Sequence, residues 1–239
     1  MRINAQSKLI SSILSPAAKL WLRSLLEGIS HLDVAIQGQD RQLISGYVPK
    51  VYLNAEKAIY QGVHLDKVQV WAENTRINIG QILKGKPLQL LEPIRVVAEA
   101  SILEEDLNQS LSSFILANAL NDLLIFLLKA GGIDNAKEIV RASKIEWRSL
   151  TLDHQIASVG GIFTPTPGEQ PTEISIRMSL NLQDAQTLEI NPLELTPLPI
   201  WSSLELRTFP VDLGSNVNLE KMSIVSGQLF CSGRLVVEP

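Results

Sequence analysis

Cysteine occurs once, at Cys231, in a chain of 239 residues. No intramolecular disulfide can form, and a metal site built on clustered thiolates is excluded. Aromatic residues make up only 5% of the chain, against 45% hydrophobic residues in all. The apolar content is therefore Leu, Ile, Val and Ala, which supply surface for burial and little directional chemistry. His31, His64 and His154 lie far apart and share no ligand spacing. A Gly-rich phosphate loop before a helix, a Gly-x-Ser-x-Gly elbow and a His-Glu-x-x-His pair are all absent. Basic charge is not in surplus either: the formal net charge is −4, which argues against nucleic-acid binding driven by bulk charge. Long apolar runs are missing too. Residues 111–132 are interrupted by Asn118, Asn121 and Asp122. The longest unbroken run there, Leu123–Leu128, falls far short of the roughly 20 residues of a membrane span. At the start, Ser7 and Lys8 precede any sustained apolar run and Pro16 breaks the next, so no secretory leader is read. The expected location is cytoplasmic or peripheral to a membrane.

Chemistry-bearing groups have plainer readings. Glu104, Glu105 and Asp106 form the densest acid group, and first-turn helix charges explain all three. Cys231 alternates with Leu229 and Gly233 and reads as a small strand residue. No catalytic residue, metal ligand or cofactor site is expected.

What the chain does contain is periodicity. Over residues 5–28, Ile10, Ile13, Leu14, Ala17, Trp21 and Leu25 recur at helical spacing, with Lys8, Lys19 and Arg23 on another stripe. Ser15-Pro16 reads as a cap and first-turn pair, so a break there is expected. Residues 1–28 hold Arg2, Lys8, Lys19 and Arg23 against Glu27, a local excess of 4 − 1 = +3. Two readings stay open: a surface helix packed on a sheet, or a membrane-surface helix with Trp21 at headgroup level.

Alternating apolar and polar residues predict strands over 32–38, 47–79, 144–163, 172–190, 203–213 and 222–239. In "VHLDKVQV" (63–70) the apolar phase slips at Asp66-Lys67, which predicts a bulge or corner. "VNLEKMSI" (217–224) echoes it. The segment 191–201 is broken by prolines and is not expected to form a central strand. Residues 104–129 predict one long helix, roughly 39 Å at 1.5 Å per residue. From Phe114 onward it is apolar on nearly every side and must be wrapped by something. Gly131-Gly132 ends it. "NIGQILKGKPLQLLEP" (78–93) sets Lys84 and Lys86 among aliphatics, either as an ordinary sheet corner or as a surface for an anionic, apolar partner. No long linker forces two domains: residues 1–29 are read as a helix belonging to the same domain as 30–239.

The runs "GQDRQLISGYVP" (38–49), "GKPL" (85–88) and "DLN" (106–108) carry a family likeness. With their surroundings, densest over 30–125, they resemble the cyanobacterial branch of the LmeA-like phospholipid-binding family. The resemblance implies an α+β fold similar to tubular lipid-binding domains, with a strongly curved antiparallel sheet wrapped around a long apolar helix. It also implies non-catalytic binding of a phospholipid or similar acyl lipid in an elongated groove, for transfer or sensing at a membrane. Apolarity and position nominate Phe114, Leu120, Leu123, Leu124, Phe126 and Leu127 for the acyl tails. Arg76, Lys84 and Lys86, with Lys8, Lys19, Trp21 and Arg23, are the candidates for headgroup or membrane contact. The alternative is a structural or interaction protein that docks through its N-terminal helix and holds no lipid. Oligomeric state is not legible.

Overall fold

The computed structural model describes residues 8–165, 170–196 and 207–239. The chain runs α1 (Lys8–Ser24), β1 (His31–Gln37), α2 (Asp40–Ile44), β2 (Tyr47–Tyr60), β3 (Val63–Arg76), α3 (Ile79–Ile82) and β4 (Ile94–Leu103). It continues α4 (Glu104–Gln109), α5 (Phe114–Ala130), α6 (Ala136–Ala142), β5 (Lys144–Asp153), β6 (Ile156–Thr164) and β7 (Thr172–Leu182). Last come β8 (Thr187–Leu195), β9 (Phe209–Asp212), β10 (Val217–Val225) and β11 (Gln228–Val237). The fold is α+β with two antiparallel sheets. One has six strands in the order β1-β2-β3-β4-β11-β10, and the other five in the order β5-β6-β7-β8-β9.

Strand alternation gives the six-stranded sheet one apolar face. Ile36 pairs with Val51, Val51 with Ala72, Ala72 with Val96 and Val96 with Leu235. Two residues along, Val34, Leu53, Val70, Ala98 and Gly233 form the next row. Leu32, Ala55, Val68, Ala100 and Cys231 form a third. Intervening residues such as Asp33, Asn54, Gln69 and Glu99 fall on the opposite face, as a period of two requires. α1 lies on the apolar side, with Leu14 and Ala18 buried in a core that includes Leu32, Val34 and Ala55.

Several sequence expectations change here. α1 continues through Pro16. A proline inside a helix costs about 3 kcal/mol, but Leu14 and Ala18 are buried on either side of it and Pro16 itself is exposed. The expected helix over 104–129 is two helices. Ser110 closes α4, donating its hydroxyl to the carbonyl of Asp106 at 2.6 Å. Ser113 opens α5 by accepting the Leu116 N–H at 3.2 Å. α5 does end at Gly131, followed by Gly132 at φ +85°. Strand β8 runs through Pro192 although it lies between β7 and β9. The β9 pairing stops at Ile190, so the missing N–H of Pro192 interrupts no bond on that side. Of the strand expected over 203–213, residues 209–212 form β9, and 203–206 lie outside the described residues, as do 197–202.

The phase slips have local causes. The β2–β3 ladder keeps one register but skips the Lys57/Asp66 pair, where Lys57 has φ 50°. β10 shifts register between Leu219 and Lys221. Both irregularities carry an ion pair, Lys57–Asp66 at 2.9 Å and Arg234–Glu220 at 3.0 Å.

Candidate lipid-binding site

Helix α4 joins the two sheets by hydrogen bonds as well as by the buried Leu107, which packs in one cluster with Leu150, Leu152 and Ile224. The Asn108 side chain donates to the Leu150 carbonyl at 2.7 Å and accepts the Leu150 N–H at 2.9 Å. It thereby pairs with the open edge of β5 as a neighbouring strand would. Glu104 accepts the Leu152 N–H at 2.7 Å. Asp106 is buried, accepts the Leu103 N–H at 3.3 Å and lies 3.4 Å from the Lys57 ammonium. The Lys57 ammonium is held above its ordinary pKa, first by its hydrogen bond to Asp66 and then by the charges of Asp106 and Asp66. The acid group expected as helix-dipole charges is thus in part a structural junction. Among the described residues, no group of three or more His, Cys, Asp or Glu side chains is placed to hold a metal ion.

Helix α5 divides its apolar residues among several partners. Leu120, Leu123 and Leu127 pack into the core of the five-stranded sheet with Leu152, Val159 and Ile176. Leu124 enters a second cluster with Leu128, Val140 and Phe163. Phe126 stacks on Phe209, ring centroids 3.7 Å apart. Phe114 points outward, 81% exposed. Four of the six residues nominated for acyl tails are therefore fully engaged by protein.

A cavity of about 280 Å³ opens instead between α1 and the six-stranded sheet. Ala18, Trp21 and Leu22 of α1, with Leu25 just past its end, form one side. The row Ile36–Val51–Ala72–Val96–Leu235 crosses its floor, joined by Val34, Leu53 and Val70. Ile77, Leu88 and Leu90 close one end. Among the described residues, no charged side chain lines it. Leu25, 50% exposed, brings the wall to the protein surface. The single buried side-chain polar atom without a partner among the described residues, Thr75 Oγ1, belongs to a residue of this wall.

The "GKPL" loop is held beside this end. Asn78 donates to the Pro87 carbonyl at 3.0 Å and accepts the Gln89 N–H at 2.8 Å. This tether, with Gly85 at φ +77°, turns Leu88 inward and leaves Lys84 and Lys86 exposed beside exposed Leu83 and Leu91. Arg76, next to the wall residue Ile77, lies over the Tyr47 ring at 5.1 Å.

On α1 the expected contact residues separate. Arg23 is exposed. Lys19 is tied to Asp33 of β1 at 3.2 Å. Trp21, expected at headgroup level, is a cavity-wall residue. The Lys8 side chain lies outside the described residues. Sequence reasoning expected an elongated groove but set it beside the 104–129 helix, not beneath α1. The cavity's signal was the apolar alternation of β1, β2 and β4, but only the cross-strand register brings Ala72 and Val96 to one place, and only the packing of α1 sets Ala18 over the sheet.

A family model described as LmeA-like phospholipid-binding matches residues 5–234. The chain belongs to the LmeA-like phospholipid-binding family. Neither a curated protein nor a solved structure gives a match. Among the described residues of this LmeA-like chain, no helix is long and apolar enough to cross a membrane. The family description speaks of binding and names no reaction.

Proposed function

We propose that this LmeA-like protein is a non-catalytic lipid carrier or sensor that holds an acyl tail in the cavity beneath α1. The observation that carries this reading is an apolar chamber of about 280 Å³ lined by aliphatic side chains and Trp21, with Thr75 as its one polar residue among the described residues. Water gains little there, because a buried water needs two to four polar partners. A methylene group entering it gains about 0.8 kcal/mol, so ten of them supply roughly 8 kcal/mol before ordering costs. With four of the six α5 nominees already engaged in cores, the tail site belongs with α1. In this reading residues 1–29 and 30–239 act as one domain, with α1 as the cover of the cavity and the six-stranded sheet as its floor.

The headgroup would stay outside, where Arg76, Lys84 and Lys86 offer charge-assisted bonds to a phosphate. The outward stripe of α1, with Ile13, Leu20 and Arg23, suits the surface of an anionic membrane. In this reading the protein works at a membrane periphery. Leu20, 72% exposed, also favours the alternative of docking without a held lipid. Native mass spectrometry of the purified protein, and uptake of a fluorescent phospholipid after delipidation, decide between them. Copurified lipid and saturable uptake, both reduced in Ala72→Leu, are expected. Vesicle association with neither lipid nor uptake would leave only docking.

A further inference from the structure

A second cavity, about 220 Å³, lies on the same face of the six-stranded sheet and shares the wall residue Leu235 with the first. The two follow one another along neighbouring strands. On β4, Ile94 and Val96 line the first cavity and Ala98 and Ala100 the second. On the paired strand β11, Val237 and Leu235 line the first and Gly233 and Cys231 the second. One cross-strand row belongs to both: Val34, Leu53 and Val70 stand in the first cavity, Ala98 and Gly233 in the second. β10 supplies the side wall. A Cβ at Gly233 would come within 2.4 Å of the Asn218 carbonyl oxygen and 2.8 Å of Leu219 Cα, so β10 curls over the sheet at this point.

We propose that the two cavities are successive compartments of one acyl site. A long tail enters beneath α1, passes Leu235 and ends beside Cys231. This rests on the reading that the first cavity holds an acyl tail. A cavity of about 150 Å³ accommodates the six carbons of benzene. On that scale the first compartment has room for roughly eleven carbons and the second for roughly nine. Short tails therefore occupy the first compartment alone, and only long tails reach the second. The basic residues stand at the opposite end, near Ile77 and Leu88, which places a headgroup and a tail terminus at the two extremes of the trough.

Cys231 is the only cysteine, which makes the unaltered protein its own reporter. Delipidated full-length protein is loaded with a lysophosphatidylglycerol of about ten carbons or of about eighteen carbons, chosen from the same volume scale. Native mass spectrometry counts the bound lipid, and maleimide alkylation of Cys231 is timed. Both lipids are expected to bind one to one. The long tail should slow alkylation roughly tenfold by covering the thiol, and the short tail should leave the rate unchanged. A bound long tail with Cys231 reacting at the lipid-free rate, or equal protection by both tails, would overturn the continuous site while leaving the first cavity intact. Absence of both lipids from the protein would overturn the first reading and this one together. As a second measure, Ala100→Phe should reduce long-tail affinity to the short-tail level and leave short-tail affinity unchanged. Unchanged long-tail affinity in that variant counts against the proposal.

Discussion

At the scale of single residues, two side chains make opposite predictions. Thr75 is 4% exposed and its hydroxyl has no hydrogen-bond partner among the described residues. An unsatisfied buried polar group costs about 1–3 kcal/mol. Thr75→Val, nearly the same shape, removes that cost and should raise the denaturant midpoint, with a gain on the order of 1 kcal/mol. Asn108 is the reverse case, because its amide satisfies both the N–H and the carbonyl of Leu150. Asn108→Ala leaves both groups of an edge strand unpaired and should destabilise by about 2 kcal/mol or more in the same measurement. Asn108→Leu, which restores bulk without hydrogen bonds, should not rescue it. Cys231 adds a pH prediction. Burial pushes its thiol up to about 11, so the lipid-free alkylation rate should keep rising with pH toward that value, rather than levelling off near the ordinary thiol range.

At the scale of elements, α1 is the cover of the cavity, and an ion pair ties it to the sheet edge. The Asp33 carboxyl is held below its ordinary value, first by the hydrogen bond from His31 and then by that from Lys19. A depressed carboxylate contributes stability above the unfolded-state value near 3.8 and loses it as pH falls through the folded-state value. Asp33→Asn should therefore lower the melting temperature at neutral pH, and its difference from the parent should vanish below that value. Parallel melting curves across the acid range check it.

Elements also show how much the sequence made legible. Strands β1, β2, β3 and β11 of the first sheet, the amphipathy of α1 and the Gly131-Gly132 stop were readable because each depends on local periodicity or local conformational freedom, whereas β4 (Ile94–Leu103) was not among the expected strands. The break between α4 and α5 was written in Ser110 and Ser113, but capping competes with strong flanking helix propensity, and the apolar run after Phe114 masked it. The place of the cavity was not readable. Ala98 and Gly233 acquire their meaning from register, since small residues on adjacent strands leave a trough only when pairing sets them side by side, and Ala72 stands one row along on the same face. For the same reason the apolarity of α5 suggested a lipid surface, while the folded chain divides that helix among two core clusters and a ring stack.

At the scale of the whole molecule, charge and shape work at different ranges. With a net charge of −4, the protein as a whole is not drawn to an anionic membrane. Any such attraction must come from a local surface, and the exposed Lys84 and Lys86 stand beside exposed Leu83 and Leu91. A basic side chain near an anionic bilayer contributes about 1 kcal/mol, decaying within a Debye length. Lys84→Gln with Lys86→Gln should thus lower partitioning onto anionic vesicles by about 2 kcal/mol, roughly thirtyfold at low salt. Raising the salt should erase the difference, and neutral vesicles should show none. Sedimentation of full-length protein with vesicles of the two compositions measures this. The same double variant should keep its melting temperature, because among the described residues neither lysine takes part in an ion pair. If partitioning is unchanged on anionic vesicles, the loop does not face the membrane, and a tail would have to enter the cavity from the Leu25 side instead.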